Sequence, residues 1–344
     1  MTTHVHRRLA CAGMVILFAI WSGTAESIVP LMNPLGKTAS ASRFSPLFPY
    51  ALTQSGAQAF TELHAASVAY VPSRAEMPAP ARESPRLQSV LLNNDVFALY
   101  GKPGARSMGI LGQYGLAEIG PVMDEFVSMY DDANGDRGII PAFYIIYGTC
   151  WPEGEIGILS ELVVRQYVEY ALERGWYVYL DHQIGKYSVE SAVKKLLPWL
   201  KYPNVHLALD PEWRTTKPMQ EIGSVTGVEI NTAQQMMQDY LTEHSLPGRR
   251  MLVVHQFKPK MIMNRNAVRS DFDLVQLIHC ADGFGSPALK KNTYAINAQA
   301  TNIPLKSFKL FLKPTIPNAG YDSPLMSPAE VFSLDPRPYL IMYQ

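Results

Sequence analysis

The sequence predicts an α/β fold, a single (β/α)8 barrel of the TIM type over residues 92–344, preceded by a signal peptide (1–25) and an Ala/Ser/Pro-rich lead-in (26–91). Three observations carry this reading. From residue 95 onward, short apolar runs alternate with helix-period patterns, as βα units of a parallel sheet do. Three of those runs close on an acid, in Leu180-Asp181-His182, Leu209-Asp210-Pro211 and Ala281-Asp282-Gly283. The run Val205–Trp213 has one apolar face (Val205, Leu207, Leu209) and one face bearing His206, Ala208, Asp210 and Glu212.

Taken in order, the expected strands are Phe97–Gly101, Ala142–Tyr147, Trp176–His182, Val205–Asp210, Met251–Gln256, Leu274–Ala281, Ser307–Lys313 and Tyr339–Tyr343. The expected helices are Leu116–Tyr130, Leu159–Arg174 with Gly175 as its cap, Val189–Leu200 and Ile230–Glu243. Eight strands close naturally into a barrel, and a doubly wound open sheet is the alternative. The chain ends on the eighth strand, so a helix between Tyr50 and Tyr70 is expected to cover the gap left by the missing eighth helix.

With 344 residues, 47% hydrophobic and 17% charged, the chain can bury a large core. Thirty basic residues balance thirty acidic ones, so nothing argues for nucleic acid or an anionic membrane surface as a partner, and neither is expected. His6-Arg7-Arg8, the apolar run Leu9–Trp21 and the small residues Ser22-Gly23-Thr24-Ala25 have the layout of a secretory signal. Secretion, or export to the periplasm or cell envelope, is therefore expected, with an uncleaved signal as the only route to a membrane. Removing the signal leaves Cys150 and Cys280, placed on well-separated strands and read as two unpaired buried thiols.

Catalytic groups of such barrels lie at the carboxyl ends of the strands. Alternation points Tyr100 and Lys102 inward on the first strand, Tyr177, Tyr179, Asp181 and Gln183 on the third, and Lys309, Phe311 and Lys313 on the seventh. Gln276, Cys280 and Asp282 share a face on the sixth, and either His255 or Gln256 faces in on the fifth. The mouth then collects Asp181, Asp210, Glu212 and Asp282 as candidate catalytic acids. Lys102, Tyr179, Trp213, His255, Gln256 and Lys313 are candidate substrate contacts, and Tyr147, Trp151 and Phe284 stand beside strand tops where an aromatic ring can stack on a sugar. Glycosidic cleavage suits this set, because it needs one protonated and one ionised carboxyl. An ionised Asp210 raises the pKa of its neighbour Glu212, which makes Glu212 the acid and Asp210 its partner.

The Asp210-Pro211-Glu212 step closing a fourth barrel strand resembles the Asp-x-Glu of chitinase-like and lysozyme-like glycoside hydrolases. The resemblance implies that Glu212 serves as the acid with Asp210 assisting. It covers this strand and the architecture; the earlier aspartates of the longer chitinase-type pattern correspond to Val205 and Ala208. Met108–Gly112 and Leu207–Glu212 are also similar to stretches of exported bacterial proteins of uncharacterised families.

Other signals are weaker. Asp132-Ala133-Asn134-Gly135-Asp136 lacks the sixth-position Gly and closing Glu of a calcium loop and reads as a turn. Gly101–Gly109 matches neither a phosphate loop nor a dinucleotide fingerprint. No Gly-x-Ser-x-Gly elbow is present. The expected function is hydrolysis of a polysaccharide or cell-envelope glycan, without a cofactor and with no metal ligands assigned. A non-catalytic glycan-binding barrel and a metal-dependent hydrolase or phosphodiesterase are the alternatives. The acid of the seventh strand in many retaining barrel glycosidases is replaced here by Lys313.

Overall fold

The computed structural model describes residues 89–314 and 319–344. The signal-peptide segment and the expected helix between residues 50 and 70 lie outside the described residues. The barrel strands are β1 (Asn94–Gly101), β2 (Gly138–Cys150), β3 (Tyr177–His182), β4 (Val205–Leu209), β5 (Arg250–Gln256), β6 (Val275–Ala281), β7 (Leu305–Leu310) and β8 (Leu340–Tyr343). Each pairs in parallel with the next, and β8 pairs in parallel with β1, so the eight strands close on themselves. This is a (β/α)8 barrel, and the open-sheet alternative is excluded by the β1–β8 register, Val96 opposite Leu340 through Leu99 opposite Tyr343.

Alternation along the strands builds two cores. The outer one joins Phe97, Leu99, Phe143, Val178, Leu180, Val205, Leu207, Leu209, Phe308 and Tyr343 to the helices. The inner one stacks Ala98, Tyr100, Ala142, Tyr144, Tyr177, Tyr179, Ala208, Val253, Cys280 and Met342 inside the barrel. Each buried Leu or Val of the outer core contributes about 2 kcal/mol relative to exposure. The amino end of the barrel is closed by a short 3-10 turn, Val90–Leu92, whose Leu91 packs into the inner core. Gln276 ties that turn down by donating to Ser89 Oγ at 2.6 Å.

The helices are α1 (Leu116–Asp131), α2 (Glu161–Glu173), α3 (Val189–Leu196), α4 (Gly227–Glu243), α5 (Pro287–Ala298) and α6 (Pro328–Phe332), with a single turn, Ile110–Gln113, ahead of α1. Their starts follow capping chemistry: Ser160, Ser188, Thr226, Ser286 and Ser327 each accept a hydrogen bond from a backbone N–H in the first turn. Gly175 sits just past α2 with φ +68°, the left-handed cap its sequence position predicts. The alternation of strands and helices is incomplete after β5. There the chain crosses to β6 through 3-10 turns at Pro259–Met261 and Arg265–Ala267, with no α-helix. The last turn of the expected helix, residues 197–200, falls instead in a 3-10 turn, Leu197–Lys201, because Pro198 cannot donate to a helical ladder.

Candidate active site at the carboxyl end of the barrel

Three acids leave three strands and meet in the barrel mouth. Asp181 belongs to β3, Asp210 follows β4 and Asp282 follows β6; all three are at most 5% exposed. His255 of β5 settles the ambiguity of the fifth strand: its ring lies inside, with Nδ1 2.8 Å from Asp282 Oδ2 and Nε2 2.6 Å from the Tyr144 hydroxyl. Lys309 of β7 completes the group, donating to Asp282 Oδ2 at 3.2 Å with its ammonium over the Tyr100 ring. Tyr100 in turn donates to Asp181 Oδ2 at 3.0 Å.

Glu212 arrives by a different route from the one alternation suggests. The strand ends at Leu209, and Pro211–Trp213 forms a 3-10 turn, so Glu212 is not on the inward face of β4. It is placed by that turn, whose exit is pinned by Gly223 N donating to Glu212 O at 2.6 Å. Its carboxyl still shares the electrostatic environment of Asp210 and Asp282.

The charge states of these acids diverge. Burial, then the Asp210 charge, holds the Glu212 carboxyl well above the usual carboxylate range. Burial is thus the larger cause, and the neighbouring aspartate adds to it. Burial likewise pushes Asp210 up to about 7, opposed by His255 and reinforced by Asp181. Asp181 is also raised by burial, against the pull of His255 and Lys309. Asp282 moves the other way: burial works against its charge, but Lys309 and the hydrogen bond from His255 outweigh it and lower its pKa. For His255, burial is outweighed by the hydrogen bond to Asp282 and by the charges of Asp181 and Asp210, so its pKa is raised. One acid is kept ionised by Lys309 and the hydrogen bond from His255, and three are biased toward holding protons.

The other expected contacts divide. Trp213 and Lys102 lie partly exposed at the rim, Lys102 with its ammonium 5.2 Å from the Trp151 ring centroid rather than on an acid. Tyr179 is fully buried beneath the mouth, stacked on Tyr144 and donating to Met251 Sδ, so it serves the inner core instead of a substrate. Gln256 points to the helix side, where Oε1 accepts from His279 and Arg265 and Nε2 donates to two backbone carbonyls. Lys313 is exposed beyond the end of β7, with its ammonium 5.9 Å from the Tyr321 ring centroid. The strand ends at Leu310, three residues earlier than expected, so the cation that reaches the acids is Lys309. Alternation does point Lys309 inward; the misjudged strand end hides its importance.

Gln183, expected inside, instead accepts from Cys150 N at 2.8 Å and fastens β2 to β3. His182 packs outside the barrel against Tyr147 and Gly148, where a Cβ on residue 148 would lie 2.9 Å from the ring. His206, on the inner face, accepts from Met251 N and is kept neutral by burial and by Arg250: a core histidine. Tyr147 is buried on the helix side, its hydroxyl donating to Lys195 O, and is not at the mouth. Trp151 and Phe284 are exposed, at 40% and 54%. Cys150 and Cys280 are both buried and unpaired.

The sequence missed the support of the β6 loop. Lys290 of α5 donates to the carbonyls of Gly283 and Lys309 and pairs with Asp322 at 3.1 Å, and Asp322 accepts from the backbone of Gly285 and Phe311. This network fixes the segments carrying Asp282 and Lys309. Helical spacing alone marks Lys290 only as a surface lysine. A divalent ion could be held by Asp210, His255 and Asp282, whose nearest ligand atoms lie within 4.8 Å of one another, although both His255 nitrogens already have partners.

No family model and no curated protein matches the sequence. Among solved structures, the chain is similar to a GH138 enzyme targeting pectin rhamnogalacturonan II, with 11% identity and a TM-score of 0.41 over 78% of this chain. The match spans only 36% of that larger protein. It is also similar to GH26C from Muricauda sp. MAR_2010_75, with 13% identity and a TM-score of 0.36, over 74% of this chain and 80% of that one.

Proposed function

We propose that the protein is an exported glycoside hydrolase acting on a cell-envelope or environmental polysaccharide, with Glu212 as general acid and Asp210 as its partner. The observation that carries this reading is the split among the acids of the mouth: half-buried Glu212 and buried Asp210 are biased toward the protonated form beside an ionised Asp282. Glu212 gives its proton to the glycosidic oxygen as the bond from that oxygen to the anomeric carbon breaks. Water adds to the resulting cationic sugar and passes its proton to a carboxylate; Asp210, at about 7, is matched to that step near neutrality. Asp181, one of whose oxygens has no partner among the described residues, contacts substrate or shares the base role, while Asp282 holds Lys309 and His255 in place. Exposed Trp151 and Phe284 supply faces on which sugar rings can stack. No cofactor enters this scheme, and export rests on the N-terminal sequence.

The test is release of reducing ends from a panel of polysaccharides and peptidoglycan by the mature protein and by Glu212→Gln. The reading requires an activity that falls by about 10²–10⁴-fold in the folded variant. Glycan binding without turnover would make the barrel a binding protein. Turnover abolished by chelators and preserved in Glu212→Gln would favour the metal-dependent alternative, for which the Asp210–His255–Asp282 grouping is the supporting observation.

A further inference from the structure

Two carboxyl oxygens in the mouth of the barrel are left without a hydrogen-bond partner by the described residues around them. Among the described residues, Asp181 Oδ1 and Asp210 Oδ1 are buried without a hydrogen-bond partner, on residues that are 0% and 2% exposed. The donors around them are committed elsewhere. Tyr100 donates to the other oxygen of Asp181, both His255 nitrogens are engaged by Asp282 and Tyr144, and Lys309 is drawn to Asp282 and the Tyr100 ring. Lys309 and His255 therefore both lean on Asp282, and neither hydrogen-bonds Asp181 or Asp210. A buried acceptor left in this state costs free energy that a fitting ligand recovers.

The best complement is a group that donates several hydrogen bonds, needs none in return and carries positive charge. A sugar hydroxyl brings one donor and two lone pairs that themselves require donors. An acetamide brings one N–H and a carbonyl acceptor with no partner here. A primary ammonium brings three N–H donors, no acceptor and a charge opposite to that of the acids.

We propose that the sugar bound beside Asp181 and Asp210 is an amino sugar with a free, cationic amine, its ammonium donating to Asp181 Oδ1 and Asp210 Oδ1. This rests on the glycoside hydrolase reading for its choice of a sugar, and on the two unpartnered oxygens for its choice of an amine.

The experiment is calorimetric binding to the full-length mature protein of methyl glycosides that differ only at carbon 2. Methyl glucosaminide and galactosaminide are compared with their N-acetyl and hydroxyl counterparts. The amine forms should bind about tenfold or more tightly than the hydroxyl forms, the worth of a charge-assisted hydrogen bond, and the acetylated forms should bind no better than the hydroxyl forms. Asp181→Asn, checked for folding by circular dichroism, should erase most of the amine preference while leaving weak binding of the hydroxyl forms. Equal or reversed preference, no binding of any amine form, or competition of the amines by Mn²⁺ binding tightly on its own would overturn the proposal. Cleavage of neutral glycans without amine preference would sink this inference and leave the hydrolase reading standing. Tight amine binding without cleavage of any glycan would do the opposite.

Discussion

Lys309 of β7 and Asp282, just past the end of the adjacent β6, meet at 3.2 Å where both are almost fully enclosed. A buried carboxylate left without its cation costs far more than an exposed pair is worth, because neither water nor a second charge replaces the partner. Lys309→Met should therefore destabilise the protein by about 3–5 kcal/mol. The double variant Lys309→Met/Asp282→Asn should recover more than half of that loss, since it removes the orphaned charge. Denaturant unfolding of the three variants checks the coupling; a double variant as unstable as the sum of the singles would show that the pair does not interact.

The activity should be limited on its alkaline side by loss of the proton on Glu212. The charge of Asp210 adds to the burial that keeps this proton in place. Asp210→Asn removes that charge, so the alkaline limb of the rate profile should move to lower pH even as the maximum rate falls. A limb that stays in place would assign it to another group.

Stability carries a second pH signature. The folded pKa of Asp210 is about 7, above its ordinary 3.8, so the folded state binds more protons between those values. Stability should fall as pH rises through that window, by at most about 4 kcal/mol from this residue. Asp210→Asn should flatten the fall without abolishing it, because Asp181 and Glu212 are raised in the same direction. Thermal unfolding across the window, wild type against variant, measures the difference in slope.

The barrel was readable because its signals are local. Alternation along Val205–Leu209 and Tyr177–His182 fixes which side chains face the helices, and a strand-ending acid marks the mouth three times over. What escaped depends on where strands stop and on what a side chain meets across the fold. Ending β7 at Leu310 exchanges Lys313 for Lys309, and ending β4 at Leu209 moves Glu212 from a strand face to a turn. Gln256 looked like a mouth residue because it closes a strand, yet its neighbours His279 and Arg265, distant in sequence, hold it on the helix side. The separation of Asp282 from the other acids was also hidden, since it follows from the partners His255 and Lys309, supplied by β5 and β7.

The central claim is that Glu212 keeps its proton above the usual carboxylate range while Asp282 gives its proton up below it. Carbon-13 NMR of the protein labelled at the glutamate and aspartate carboxyls, with Glu212→Gln and Asp282→Asn to assign the two resonances, measures this directly. The account predicts a Glu212 carboxyl that keeps its proton well above the usual carboxylate range, with Asp282 ionised throughout the range in which the fold is stable. A Glu212 that ionises in the ordinary range near 4–5 would contradict it and remove the general acid from the site.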